Sequence, residues 1–424
     1  MHLLNARSPS PRDLRLDLFR GLANWAIFID HIPNNVVAWL TIRNYGFIDA
    51  ADLFVFISGY AASVAYVKIL AERGFAVAAA RTVKRVWQLY AAHVLLFFIY
   101  VAAIGYVAQR YTGLDLANQF NIAGLIGNPA DTLFQGLILR FKPLNLDVLP
   151  LYIVLMAFLP AISWLMLRAP DLAMGASLLL YLGARHFGWN LSAYPTGVWY
   201  FNPFAWQLLF VFGSWLAIGG AAKSRRAIGS PSLLYLGGAY LIFSLAMTMA
   251  SRFPELAGLI PIWLLELFNP NDKTNLAPYR VAHLVIIVLL VARFVPRNWT
   301  GLEQKIFQPV VMCGQQSLKV FCVGILLSFA AHVVLAVGSE SVWAQILVTA
   351  AGLSLMSAVA YCSSWYKKSV HPLTNFVPER GNRTAIEGLA GTTTSGEIRI
   401  RALQDETPLL APKEGRFNRI AVQG

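Results

Sequence analysis

Arg20 and His31 stand eleven positions apart within "DLRLDLFRGLANWAIFIDHIPNN" (13–35), a stretch otherwise long and apolar enough to cross a membrane. At 100° per residue, eleven positions fall about 20° from three full helical turns. Both side chains therefore share one face, about 16 Å apart along the axis. Asp17 and Asn24, three residues before and four after Arg20, join that face. Charged groups at membrane depth cost several kcal/mol unless partnered, so such a stripe needs a reason. A cation at one end can hold an anionic donor at the cytoplasmic surface, while the donor's extended arm reaches an imidazole deeper in. Histidine is the usual general base for activating a hydroxyl. Acyl-coenzyme A has the matching shape: a phosphorylated head, a long thin arm and a thioester at its end. The plainer alternatives are a snorkelling arginine and a packed histidine.

The next apolar stretch, "DAADLFVFISGYAASVAYVKIL", begins with Asp49 and Asp52 near the depth of His31. Either carboxylate could orient the imidazole's other nitrogen, as the third member of catalytic constellations does. Asp30, adjacent to His31, points some 100° away and is the weaker candidate. Ser58 and Gly59 fall mid-span, where small residues also serve helix packing. "RTVKRVWQLY" then supplies Arg81, Lys84 and Arg85. Residues 81 and 85 share a helical face and can clamp a phosphate, or simply report topology.

These residues need a membrane scaffold, and the composition supplies one. Of 424 residues, 57% are hydrophobic and only 13% charged, with mean hydropathy +0.56. Soluble domains carry about twice that share of charge. The chain reads as all-α and polytopic, with about ten spans at 16–38, 49–70, 86–108, 147–167, 171–187, 203–222, 231–250, 278–296, 312–337 and 341–364. "PELAGLIPIWLLELF" (254–268) is too short and too acidic at its ends, and reads as re-entrant or interfacial. Placing the N-terminus inside assigns sixteen Lys and Arg to the cytoplasmic side against eight outside, the tail not counted. The net charge of +13 thus reports topology rather than nucleic-acid binding. Residues 1–15 form a cytoplasmic segment, 16–370 the membrane domain, and 371–424 a polar, flexible cytoplasmic tail. Cys313, Cys322 and Cys362 lack metal or disulfide spacing and read as small buried residues.

The Arg20/His31 pattern resembles the first-helix signature of the membrane acyltransferases called acyltransferase family three. "DLFVFISGY" is similar to that family's second-helix motif, and "RTVKRVWQLY" to its basic segment before the third helix. More narrowly, "LDLFRGLANWAIFIDHIPNN", "DLFVFISGY", "LDVLPLYIVLM", "FNPFAWQLLFVFG" and "CGQQSLKVFCVG" look like the OpgC branch, a resemblance running from about residue 13 to 365. It implies a bacterial inner-membrane protein that moves succinyl groups from cytoplasmic succinyl-coenzyme A to osmoregulated periplasmic glucans, with no bound cofactor. His31 carries over as the catalytic residue and Arg20 as its donor-side partner. Ser58 and Gly59 carry over as site-forming residues, and Arg81 and Arg85 as donor contacts. Tyr60 departs from the family's usual Phe at that position.

Other polar positions carry less. Asp147 either pairs with Arg140 or Lys142 or shapes an acceptor site. Lys319, with Gln315 and Gln316, either snorkels or touches the donor. His93, His283 and His332 read as satisfied helix-interface histidines. Trp206 and Gln207, in "FNPFAW", follow an aromatic loop that either anchors at the interface or stacks on sugars. Two rival readings use the same facts: an acyltransferase acting on another envelope polysaccharide, and a transporter of an anionic substrate without chemistry.

Overall fold

The computed structural model describes residues 13–296 and 299–370, and the expected tail at 371–424 lies outside them. Among the described residues every regular element is helical. We label the principal helices α1 (Leu14–Asp30), α2 (Ala50–Arg110), α3 (Val148–Arg168), α4 (Pro170–Phe187), α5 (Pro203–Trp215), α6 (Pro231–Ala250), α7 (Pro278–Phe294), α8 (Gln308–Gln315), α9 (Ser317–Val337) and α10 (Val342–Val370). Six helices are long and apolar enough to cross a membrane, with α2 counted once and α5 taken with its continuation to Lys223. This is a polytopic helical membrane protein.

Four expected spans take a different form. The first stops at Asp30, with His31 as its C-cap, instead of continuing to 38. Pro33 disfavours helix at the residue before it, and Asn34 turns through φ +55. The chain then makes a 3-10 turn over Val36–Leu40. The second and third expected spans form the two arms of α2, broken at Gly74 (φ +80, ψ 173). Glycine tolerates that conformation at no steric cost. The ninth is divided at Gln316 (φ −105, ψ 28) into α8 and α9. "PELAGLIPIWLLELF" forms two short helices, Pro254–Ala257 and Ile262–Phe268, neither long enough to span.

α1 packs on α8, α9 and α2, while α2 also packs along α3 and α5. Bare glycine backbone makes two of these crossings possible. A Cβ on Gly21 would overlap the Val310 carbonyl, and one on Gly314 the Asp17 carbonyl, so α1 and α8 touch backbone to backbone. Gly59 and Gly213 do the same for α2 and α5 against the carbonyls of Phe210 and Phe56. Trp206 is fully buried, so it is not one of the rings that could anchor at the interface or stack on a sugar. Cys313 is buried as expected, whereas Cys362 is exposed on α10. His93 is fully buried, but neither ring nitrogen finds a partner among the described residues. It is not the satisfied histidine that its apolar setting predicted.

Candidate active site

The polar stripe of α1 opens into two separate cavities. At its C-terminal end, His31 lines a cavity of about 840 Å³ together with Asp30, Asp49, Asp147, Lys142 and Lys273. Nearer its N-terminus, Arg20 lines a second cavity of about 580 Å³ with Ser58, Tyr66, Arg85, Gln316 and Lys319.

The walls of the His31 cavity come from segments far apart in the chain, from Ile27 to Arg280. α2 begins there in a capping box: Asp49 accepts from the Ala51 amide at 2.8 Å, and Asp52 from the Asp49 amide at 3.0 Å. Such reciprocal capping satisfies amide donors that a helix start leaves open. Both carboxylates then meet cations from distant segments. Lys273 Nζ lies 2.6 Å from Asp49, and Arg280 Nη2 lies 2.6 Å from Asp52 and 3.6 Å from Asp49. Two carboxylates and two cations make a neutral, desolvated cluster, the condition under which buried charge is tolerable.

The loop carrying Lys273 is tied down at several carbonyls. The Trp206 indole donates to the Lys273 carbonyl at 3.0 Å. The Asn202 amide donates to Thr274 at 3.1 Å, Arg185 to Asn275 at 2.9 Å, and Tyr181 to Leu276 at 2.8 Å. Buried Trp206 therefore positions a cation of the cavity.

The 138–147 segment supplies Arg140, Lys142 and Asp147. Leu139 (φ +65) and Asn145 (φ +74) hold left-handed backbone, which non-glycine residues adopt rarely and mostly where surroundings impose it. Here the surroundings are explicit. The Leu144 amide donates to the Phe120 carbonyl at 3.0 Å, the Tyr194 amide to Arg140 at 3.0 Å, and Asn121 Nδ2 to Lys142 at 3.1 Å. Burial pushes the Lys142 ammonium down to about 8, with Asp147 acting in the opposite sense. Asp147 itself makes no ion pair within 4.0 Å among the described residues.

His31 donates its backbone N–H to Ile27, and its ring Nδ1 is buried without a partner among the described residues. Neither Asp49 nor Asp52 is hydrogen-bonded to the ring there. The two carboxylates expected to orient the imidazole are instead engaged with Lys273 and Arg280. Asp30 accepts from the Thr41 hydroxyl at 2.7 Å and lies 4.0 Å from Arg43.

The Arg20 cavity has a different character. Its lining contains Arg20, Arg85, Lys319 and Lys367 and no carboxylate. Arg20 lies 4.0 Å from Asp17, Arg85 donates to Gln88 at 3.3 Å, and Lys367 to Gln316 at 2.9 Å. Ser58 is on the wall. Gly59 is not: it serves the α2–α5 crossing. Arg81 is exposed and also absent from the lining. Asn24, between Arg20 and His31 along α1, is buried, lines neither cavity and donates to Ser317 Oγ at 3.1 Å.

Only a thin partition separates the two spaces. Ala51 faces the His31 cavity and Phe54 the Arg20 cavity, a rise of about 4.5 Å along α2. Phe54 meets Tyr152 edge-on at 6.3 Å and Phe321 at 6.1 Å between ring centroids, and all three rings line the Arg20 cavity. Lys142, Lys273 and Arg280 are the members that residue patterns alone do not reveal. In the sequence Lys142 and Lys273 register as loop charges and Arg280 as a charge at the start of an expected span, and nothing local signals that they converge on the His31 cavity.

Comparison with known proteins adds one finding. The sequence model of the OpgC protein family matches residues 12–368. No curated protein and no solved structure matches the chain.

Proposed function

The chain belongs to the OpgC family, and from that premise we propose that it is a membrane O-acyltransferase that passes a succinyl group from cytoplasmic succinyl-coenzyme A to hydroxyls of osmoregulated periplasmic glucans. The family suggests a glucan-modifying acyltransferase. One observation carries the finer reading: a cavity whose charged lining, among the described residues, is all cationic and a cavity holding an imidazole lie along one helix stripe, a thin partition between them. Phosphates of the donor bind among Arg20, Arg85, Lys319 and Lys367, where charge-assisted contacts are strong. The pantetheine arm passes beside Asn24 and the Phe54 ring, bringing the thioester to His31. Arg81, exposed and outside the cavity lining, draws the donor to the surface rather than holding it.

In the His31 cavity the imidazole takes the proton of a sugar hydroxyl as its oxygen attacks the thioester carbonyl. The carbon–sulfur bond breaks, the ester forms, and the departing coenzyme A thiolate takes the proton back from the imidazolium. Asp49, Asp52, Lys273 and Arg280 hold the cavity's wall and field in place during transfer. Tyr194, Tyr200 and Phe201 line the same space, and aromatic faces of this kind pack well against sugar rings.

The reading places the protein in the bacterial inner membrane with ten spans and both termini in the cytoplasm, as the Lys and Arg bias supports. Reporter fusions at Arg43, Asn118 and Ser339 then read outside, and fusions after Arg73 and Lys223 read inside. An inside signal at Asn118 breaks the donor-in, acceptor-out scheme. The function itself is tested by mass spectrometry of periplasmic glucans from cells with and without the protein. Glucans heavier by whole succinyl units only when the protein is present are expected. Unmodified glucans alongside a succinylated envelope polysaccharide move the reading to another acceptor. A carrier uses the same two cavities without chemistry, and leaves every glycan mass unchanged.

A further inference from the structure

The His31 cavity is richer in cations than its neutral cluster requires. Arg43, Arg140, Lys142, Arg252, Lys273 and Arg280 line it against Asp30, Asp49 and Asp147. Lys273 and Arg280 are spoken for by Asp49 and Asp52, and Arg43 lies against Asp30. Arg140 and Arg252 are exposed. Lys142 is the exception: it is only 8% exposed, and it makes no ion pair among the described residues. Its Nζ donates to the Leu139 carbonyl at 3.1 Å and lies 4.1 Å from the centre of the Trp199 ring. One carbonyl and one ring face leave N–H donors of an ammonium unanswered. A buried cation is costly without an anion, and the segment holding it keeps two residues in left-handed backbone.

We propose that Lys142 is the specificity residue that binds the free carboxylate of the transferred acyl group, so that the His31 cavity selects dicarboxylic acyl donors over neutral ones. The inference rests on the acyl-transfer reading above and names which part of the donor reaches which wall. With the thioester carbon beside His31, the distal carboxylate of a four-carbon diacid extends across the cavity to the ammonium. It gives the ammonium the close anionic contact that Asp147, which acts on it only from beyond ion-pair distance, does not make, while the Trp199 face packs against the lysine's charge. Nζ protonated at neutral pH is the form this contact needs, and a carboxylate beside it favours that form further. A neutral acceptor in the test separates this contact from one made by an anionic sugar.

Purified protein in lipid nanodiscs is given equal concentrations of succinyl-coenzyme A and butyryl-coenzyme A, its neutral isostere, with a neutral glucan oligosaccharide. The two esters are counted by mass. The unsubstituted protein is expected to favour succinyl transfer, and Lys142→Gln to lower the succinyl-to-butyryl ratio roughly ten- to hundredfold, the worth of one charged hydrogen bond. Lys142→Arg keeps the charge and is expected to retain the preference. Lys142→Met keeps the aliphatic stem against Trp199, and guards against a loss that reflects only packing. A ratio unchanged in both Lys142→Gln and Lys142→Met overturns the assignment while leaving acyl transfer intact. An equal fall in both products also overturns it, since the lysine then serves the acceptor or the fold. Absence of any ester from either donor with the unsubstituted protein overturns the acyl-transfer reading and this inference together.

Discussion

Replacing His31 by glutamine lowers ester formation by about 10²–10⁴-fold, the usual contribution of a positioned general base. Glutamine keeps polarity and similar reach but cannot accept the proton of the attacking hydroxyl. The fold should not notice the exchange. His31 is the C-cap of α1 through its backbone N–H, which any residue but proline provides, and the ring's Nδ1 is bonded to nothing among the described residues. Coenzyme A affinity should persist as well, because the phosphates are held near Arg20, about 16 Å away along the helix. The measurement is succinyl ester formed per unit of purified protein, with coenzyme A binding and thermal unfolding recorded on the same samples. Near-normal transfer by His31→Gln makes the imidazole a strut and removes the catalytic role. A loss of both transfer and coenzyme A binding means that the two cavities are not independent.

The second large effect is on stability, at the pair of Asp52 and Arg280. Asp52 is fully buried and Arg280 is 2% exposed, so removing one partner strands a charge that water cannot reach. Asp52→Leu should destabilise the protein by about 3–5 kcal/mol, the usual cost of breaking a buried pair from one side. Arg280→Met should cost a similar amount, since it leaves Asp52 with only its capping contact and Asp49 with Lys273 alone. Combining Asp52→Leu with Arg280→Met should recover most of the loss, because apolar replacements of both members avoid the stranded charge. About 1 kcal/mol should persist from the lost cap at the start of α2. Unfolding in detergent micelles, compared across both single variants and the double variant, gives the coupling directly. Additive losses would mean that the two groups are solvated separately, contrary to the 2.6 Å contact between them.

What the sequence determined by itself was local. Hydropathy and helical periodicity specify apolar helices, because a membrane leaves the backbone no other way to satisfy its own polar groups. The alignment of Arg20 with His31 was equally legible, since both lie on one helix and rise and twist per residue decide their spacing. Even there, Pro33 and Asn34 end α1 at the histidine, so the residue marks the close of the helix rather than a point within it. The charge partners were beyond sequence. Asp52 opens the next apolar stretch near the depth expected for His31, which made it look like the imidazole's orienter. Packing instead delivers Arg280, 228 positions away, to within 2.6 Å of it. Ser58 and Gly59 are neighbours of like size, yet one faces the Arg20 cavity and the other lies against the Phe210 carbonyl, a choice made by the α2–α5 crossing. Lys142 and Lys273 belong to loops whose conformations depend on hydrogen bonds to remote carbonyls and to Trp206. Such contacts have no period and no motif, so only the folded chain decides that both cations reach the His31 cavity.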